Sequence, residues 1–194
     1  QFFLLKHFGG WSFIEAYNLP IRIRRWFLNR LSSQIEKENE ALEEAQAKTS
    51  AILKSQKPIV VIQQEICDYL QANVAHYDWV GFYFKNGDKE ELKLGPYAGE
   101  PTDHTIIPFG KGICGQVAVS NQNFVVPDVT AQDNYIACSI TVKAEIVVPL
   151  FVNGENIGQI DIDSNTPDPF TEEDERFLEF INSEIAKLIE SERQ

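Results

Sequence analysis

From Pro58 onward the apolar residues switch between two periods, and the switches outline a compact α/β unit. Ile59, Ile62, Ile66, Tyr69, Leu70 and Val74 share one stripe at helical spacing, which predicts a helix over 59–74. Trp79-Val-Gly-Phe-Tyr-Phe84 reads as a strand, Asn86-Gly87-Asp88 as its turn, and Glu91 to Tyr97 as the returning strand. Residues 100–140 are rich in Gly, Pro, Asn and Asp; within them a short helix is predicted over 113–120 and a strand over 124–126. A second hairpin follows, with Glu145–Val152 and Asn156–Asp163 flanking Asn153-Gly154. Thr171 is the expected N-cap of a closing helix, with acids in its first turn and an apolar stripe of Phe177, Leu178, Ile181, Ile185, Leu188 and Ile189. This order predicts an α+β fold, an antiparallel sheet with its terminal helices on one face.

The first 57 residues follow a different pattern. Ser12-Phe-Ile-Glu15 reads as a capping box opening a short helix, and Asn18-Leu-Pro20 opens a second with proline in its first turn. That helix carries Arg22, Arg24, Arg25 and Arg30 and continues into a stretch from Glu36 to Lys57 without aromatics, which predicts a long, mostly solvated connector. Eight aromatics crowd the first 27 residues (Phe2, Phe3, Phe8, Trp11, Phe13, Tyr17, Trp26, Phe27), so some cover for them is expected. The chain therefore divides into a helical arm and connector, 1–57, and a domain, 58–194. Gly-Gly-Trp-Ser and Leu-Pro-Ile-Arg within residues 7–31 weakly resemble short tail or baseplate-assembly proteins of tailed phages, implying a docking arm. The plainer reading is an amphipathic arm that packs on a partner or a second copy of the chain.

Charge separates the same two parts. Residues 1–57 hold nine Lys/Arg against six Asp/Glu, a net +3, whereas residues 58–194 hold eight against 23, a net −15. So acidic a body repels phosphate backbones and argues against nucleic-acid binding, while small cationic or zwitterionic ligands suit it. No apolar run approaches the roughly 20 residues of a membrane span, so no membrane partner is expected. The chain begins at Gln1 and has no methionine, as expected of a processed product or a piece of a longer one. Three cysteines are too few for a secreted disulfide framework and none is at zinc-motif spacing, so no metal or bound cofactor and a cytoplasmic location are expected. Cys67 falls on the helical stripe and reads as core; Cys114 and Cys138 fall in glycine-rich or polar, loop-like surroundings where thiols are expected to be exposed and reactive.

Asp161 and Asp163 alternate with Ile160 and Ile162, so in a strand both carboxylates share one face. Burying two acids unpaired is costly, so this face is expected to line a wet cavity that receives a cation or a shared proton. Glu145, at the start of the neighbouring strand, adds a third acid. The amino group of a free amino acid would meet that demand, and one raised carboxyl would serve as a proton donor.

Seven motifs in register, Tyr77-Asp-Trp-Val-Gly-Phe-Tyr83, Leu94-Gly-Pro-Tyr-Ala-Gly99, Ile107-Pro-Phe-Gly-Lys-Gly-Ile-Cys-Gly115, Tyr135-Ile-Ala-Cys138, Glu145-Ile-Val-Val-Pro149, Gly158-Gln-Ile-Asp-Ile-Asp-Ser164 and Phe170-Thr-Glu-Glu-Asp174, together resemble the GAF-domain free methionine-(R)-sulfoxide reductases over about residues 58–190. The resemblance implies a GAF fold with its ligand pocket on the sheet face opposite the terminal helices, and homodimer pairing. It implies Cys138 as the nucleophile and Cys114 as resolving thiol. Trp79, Tyr83, Glu145, Asp161 and Asp163 would line the substrate site, and thioredoxin or a similar dithiol would act as reductant. His104 stands where the family usually carries a further cysteine, which puts efficient recycling in doubt. The implied reaction is reduction of free L-methionine (R)-sulfoxide through a Cys138 sulfenic acid and a Cys138–Cys114 disulfide. The alternative is a small-molecule-sensing or structural GAF module without turnover.

Overall fold

The computed structural model describes residue 5, residues 9–131 and residues 141–192, without the side chain of Glu38. The chain forms two compact units, Gln1–Glu44 and Ala45–Gln194. In the first, the capping box forms as expected: Ser12 N–H donates to Glu15 Oε2 at 2.9 Å and Glu15 N–H to Ser12 Oγ at 3.2 Å, opening α1, Phe13–Asn18. The second helix, α2, begins at Ile21 and runs without a break to Leu53. Arg24 in its first turn donates to the carbonyls of Ala16, Tyr17 and Leu19, so one side chain satisfies the open end of α1 and sets the turn between the helices. Leu5, Ala16 and Leu28 bury together under Trp11 and Phe27. The cover expected for the aromatics stops there: Phe13, Tyr17 and Trp26 are more than half exposed, and Phe2, Phe3 and Phe8 lie outside the described residues.

Most of the connector is exposed or half-buried, but its last turns carry one covered stripe. Ala45, Thr49 and Leu53 recur every four residues and are all buried. A stripe of one Ala, one Thr and one Leu is too short and too small to stand out in a charged helix.

The second unit is built on one antiparallel sheet. Helix α3, Ile59–Asn73, leads to β1, Trp79–Lys85, and β2, Glu91–Ala98. Short strand β3, Ile106–Pro108, is followed by α4, Gly112–Ser120, and β4, Phe124–Val126. The hairpin β5, Ala144–Val152, and β6, Glu155–Ser164, turns through Asn153 and Gly154, both with positive φ, and α5, Glu172–Glu192, closes the fold. The strand order β3-β2-β1-β6-β5-β4 puts the first and last strands of the domain at the centre of the sheet.

Helices α3 and α5 pack on the sheet and on each other, α3 over β1 and β2, α5 over β5 and β6. The start of α5 is held by Thr171, whose N–H and hydroxyl both reach Asp174 Oδ2 at 2.8 Å. Asp174 Oδ1 in turn takes hydrogen bonds from Tyr77 O–H at 2.9 Å and His76 Nε2 at 2.8 Å. Burial would raise the Asp174 carboxyl, but its hydrogen bond and charge pairing with His76, together with its bonds to Thr171, hold it below its ordinary value. The opposite sheet face carries α4, packed on β5, β6 and β3.

Candidate functional site

Period-two alternation sends Trp79, Gly81 and Tyr83 of β1 to the α4 side, and Val80 and Phe82 to the other. The register aligns this face across three strands: Trp79 opposes Asp163, Gly81 opposes Asp161, and Tyr83 opposes Gln159. On the far side of β6, Glu145 opposes Asp163 and Val147 opposes Asp161. Three carboxylates, from one strand and its neighbour, thus form a patch in the middle of the sheet.

Trp79 folds flat along this patch. A Cβ on Gly81 would lie 2.2 Å from its indole Cη2, so only glycine leaves room for the ring between the two aromatic positions of the strand. The indole N–H donates to the Glu100 carbonyl at 3.1 Å, and its ring stacks on Tyr97 with centroids 5.5 Å apart. Tyr83 O–H donates to the His104 carbonyl at 3.0 Å, which ties the loop before β3 to the floor of the site.

Helix α4 is the roof. Gly115 allows its close approach, because a Cβ there would meet the Pro108 carbonyl at 2.5 Å. Cys114 consequently points down onto the carboxylates, and its Sγ donates to Asp161 Oδ2 at 3.1 Å. This corrects the expectation of an exposed thiol: Cys114 lies in the helix predicted over 113–120 but is only 4% exposed, because that helix packs down on the sheet. Cys67 is core, as expected; it bonds the Pro96 carbonyl, and burial pushes its thiol up. Cys138 and its Tyr135-Ile-Ala-Cys138 motif lie outside the described residues.

The site is drier than expected. Glu145, Asp161 and Asp163 are 4%, 2% and 2% exposed, and the partly open cavity beside them has a volume of about 10 Å³, room for about one water. His104, Ile107, Lys111, Cys114, Glu145 and Asp161 are among its lining residues. Trp79, Tyr83 and Asp163 share the face but do not line that cavity; Trp79 and Tyr83 pack with Cys114, Ile113 and Val117 in the apolar cluster beneath α4. Asp161 Oδ1 and Asp163 Oδ1 have no hydrogen-bond partner among the described residues. Burial raises the Asp161 carboxyl to about 7, against the pull of its bond from Cys114. Glu145 and Asp163 rise well above the ordinary carboxylate range, first through burial and then through the charge of Asp161.

Two side chains at the site were not singled out by sequence reasoning as ligand groups. Gln159 is fully buried in the same row of β6, and neither of its amide atoms has a partner among the described residues. The alternation that marked Asp161 and Asp163 extends to it. The His104 side chain, read as a loop residue, lines the cavity with a buried Nδ1 that also lacks a partner among the described residues.

A six-stranded antiparallel sheet with paired terminal helices on one face and a roofed acidic pocket on the other defines the class. The GAF domain family model matches residues 56–190, and the chain belongs to that family. Within it, the chain is 41% identical over 114 residues to the free methionine-R-sulfoxide reductase of Saccharomyces cerevisiae, covering 58% of this chain and 61% of that protein. It is 37% identical over 120 residues to the Escherichia coli protein of the same name, covering 62% and 71%. Among solved structures, the free methionine-R-sulfoxide reductase of Neisseria meningitidis in complex with its substrate superposes with a TM-score of 0.70 at 34% identity, over 81% of this chain and 90% of that one. Among the described residues, no helix is long and apolar enough to cross a membrane.

Proposed function

We propose that this chain reduces free L-methionine (R)-sulfoxide to L-methionine. The observation that carries the reading is the buried cluster beneath α4 of Cys114 and three carboxylates, Asp161, Glu145 and Asp163, the thiol bonded to Asp161 and the carboxylates without an ion-paired basic side chain among the described residues. The names borne by the similar proteins support it.

An amino acid enters with its ammonium group toward the carboxylates, which supplies the positive charge that the site lacks. Trp79 and Tyr83, packed on the same sheet face beneath α4, present apolar surface to the S-methyl end once the bound substrate widens the cavity toward them. The Cys138 thiolate attacks the sulfoxide sulfur, and a raised carboxyl, Asp161 foremost, delivers a proton to the sulfoxide oxygen. Methionine leaves, and the oxygen remains on Cys138 as a sulfenic acid, so the substrate sulfur is reduced by two electrons and the cysteine oxidised by two. Cys114 then condenses with that sulfenic acid, forming the disulfide and releasing water; thioredoxin or a similar dithiol reopens it. Asp161 has a direct part in this second step as well, since its Oδ2 accepts the hydrogen bond from the Cys114 thiol.

The test is NADPH-coupled turnover of free methionine (R)-sulfoxide with thioredoxin and its reductase, with dithiothreitol as an alternative reductant. Turnover is expected in the unaltered chain and none in Cys138→Ser. If neither reductant drives Cys138-dependent turnover, the reading fails and the second one, a ligand-binding GAF module, takes its place. That reading is favoured by His104, which occupies the position of the third family thiol and faces the pocket.

A further inference from the structure

We propose that the pocket beneath α4 is a site for a zinc-class divalent cation, held by Cys114, Glu145 and Asp161. Each of these three side chains offers one ligand atom, and the three atoms lie within 4.8 Å of one another. A tetrahedral zinc site needs thiolate and carboxylate donors about 3.3–3.8 Å apart, from bonds of about 2.0–2.3 Å, so the cluster has to contract only slightly around an ion. The donors come from three separate, well-anchored elements: α4, the start of β5 and the middle of β6.

A second observation points to a ligand independently of the cluster. Asp161 is 98% buried and spends one oxygen on Cys114, while its other oxygen, Oδ1, has no hydrogen-bond partner among the described residues. An orphaned carboxylate oxygen at that depth is costly, and a cation is the ligand that answers it most fully. His104 lines the same cavity, and its buried, unpartnered Nδ1 makes it the candidate fourth donor. Thiolate, carboxylate and imidazole together select zinc or a similar borderline ion over magnesium or calcium, which prefer oxygen alone. Lys111 lines the rim of the cavity and is exposed.

Binding converts the Cys114 thiol to a metal-bound thiolate and releases its proton, breaking the S–H bond and forming a metal–sulfur bond with no change in oxidation state. The ion therefore competes with the substrate ammonium group for the carboxylates and withholds Cys114 from disulfide formation. This inhibitory consequence rests on the reductase reading; the binding does not.

The experiment uses the full chain, reduced and freed of metal, titrated with Co²⁺ under anaerobic conditions while the thiolate-to-cobalt charge-transfer absorption is followed. One ion per chain is expected, displaced by Zn²⁺. Cys114→Ser is expected to abolish the band and Cys67→Ala to leave it. Asp161→Asn and Glu145→Gln, with far-UV circular dichroism confirming the fold, are expected to weaken binding by about tenfold or more each. Absence of a saturable band, or a band that survives in Cys114→Ser, overturns the site. Cobalt uptake of the expected kind in a chain that reduces no methionine sulfoxide sustains the metal site and removes only the reductase reading.

Discussion

The two faces of the central sheet are made by the same strands and obey opposite rules. On the side of α3 and α5, Val80, Phe82, Ile146, Val148, Ile160 and Ile162 are all buried and apolar. On the side of α4, the residues between them are Trp79, Gly81, Tyr83, Glu145, Val147, Gln159, Asp161 and Asp163, equally buried but, Val147 apart, charged, polar, amphipathic or without a side chain. Burial alone therefore does not distinguish core from site in this domain. The informative difference is whether the buried atoms are satisfied. The helix face leaves one such atom, Asn182 Oδ1 of α5, without a partner among the described residues, while the α4 face leaves oxygens of Asp161 and Asp163 and both amide atoms of Gln159. A face that withholds stabilisation in this way is prepared for something that arrives later.

The contrast can be broken most severely on the helix side. Ile181→Ala in α5 removes a fully buried side chain and is expected to lower stability by about 2–5 kcal/mol. The folded fraction should retain its kcat/KM. Urea unfolding together with turnover measures both, and a specific activity that drops with stability unchanged would contradict the division of labour.

Asp161→Asn is the converse change. It keeps the volume and removes the acid, and a loss of kcat of about 100-fold or more is expected with stability at pH 8 equal or higher. Normal turnover in this variant would remove Asp161 from proton delivery.

The acids also make the domain's stability depend on pH in a direction opposite to that of ordinary surface carboxylates. Asp161 is raised to about 7 and Glu145 and Asp163 are raised well above their ordinary range, whereas in the unfolded chain such groups titrate near pH 4. Between those limits the folded chain keeps protons that the unfolded chain has released. The stabilisation is therefore fully present below about pH 4 and is lost as pH rises through about 7. Asp174, held below its ordinary value, acts in the other sense and only at the acid end. Thermal unfolding without substrate is expected to show a Tm lower at pH 8 than at pH 5 by on the order of 5 °C, with the difference reduced in Asp161→Asn. An unchanged difference in that variant would locate the effect outside the pocket.

The smallest effect belongs to a feature that serves only the scaffold. Thr171→Ala removes the hydroxyl that bonds Asp174 at the start of α5 and is expected to cost about 1 kcal/mol, read as a shifted denaturation midpoint with the pocket's pH dependence intact.

Legibility from sequence followed the range of the interactions. Both hairpins, the helices at 59–73 and 172–192 and both capping boxes were readable because each depends on residues a few positions apart. The shared face of Asp161 and Asp163 was readable for the same reason, being a consequence of the strand period. The burial of Cys114 was not: the helix over 113–120 was readable, but only the contact of Gly115 with the Pro108 carbonyl and of the thiol with Asp161, 47 residues away, makes it a buried roof. The buried stripe Ala45, Thr49, Leu53 was missed because its apolar content is too slight to mark a face in a charged helix.

By itself, then, the sequence determined the elements, their caps and turns, and which residues of each strand share a face, because these follow from local backbone periodicity. The tertiary structure decided that α4 covers one of those faces and that Glu145, Asp161 and Asp163 meet in one dry patch with Cys114 above them. Strand pairing and helix docking join residues far apart in the chain, and it is their exclusion of water that turns an ordinary row of acids into groups with raised pKa values and unmet hydrogen bonds.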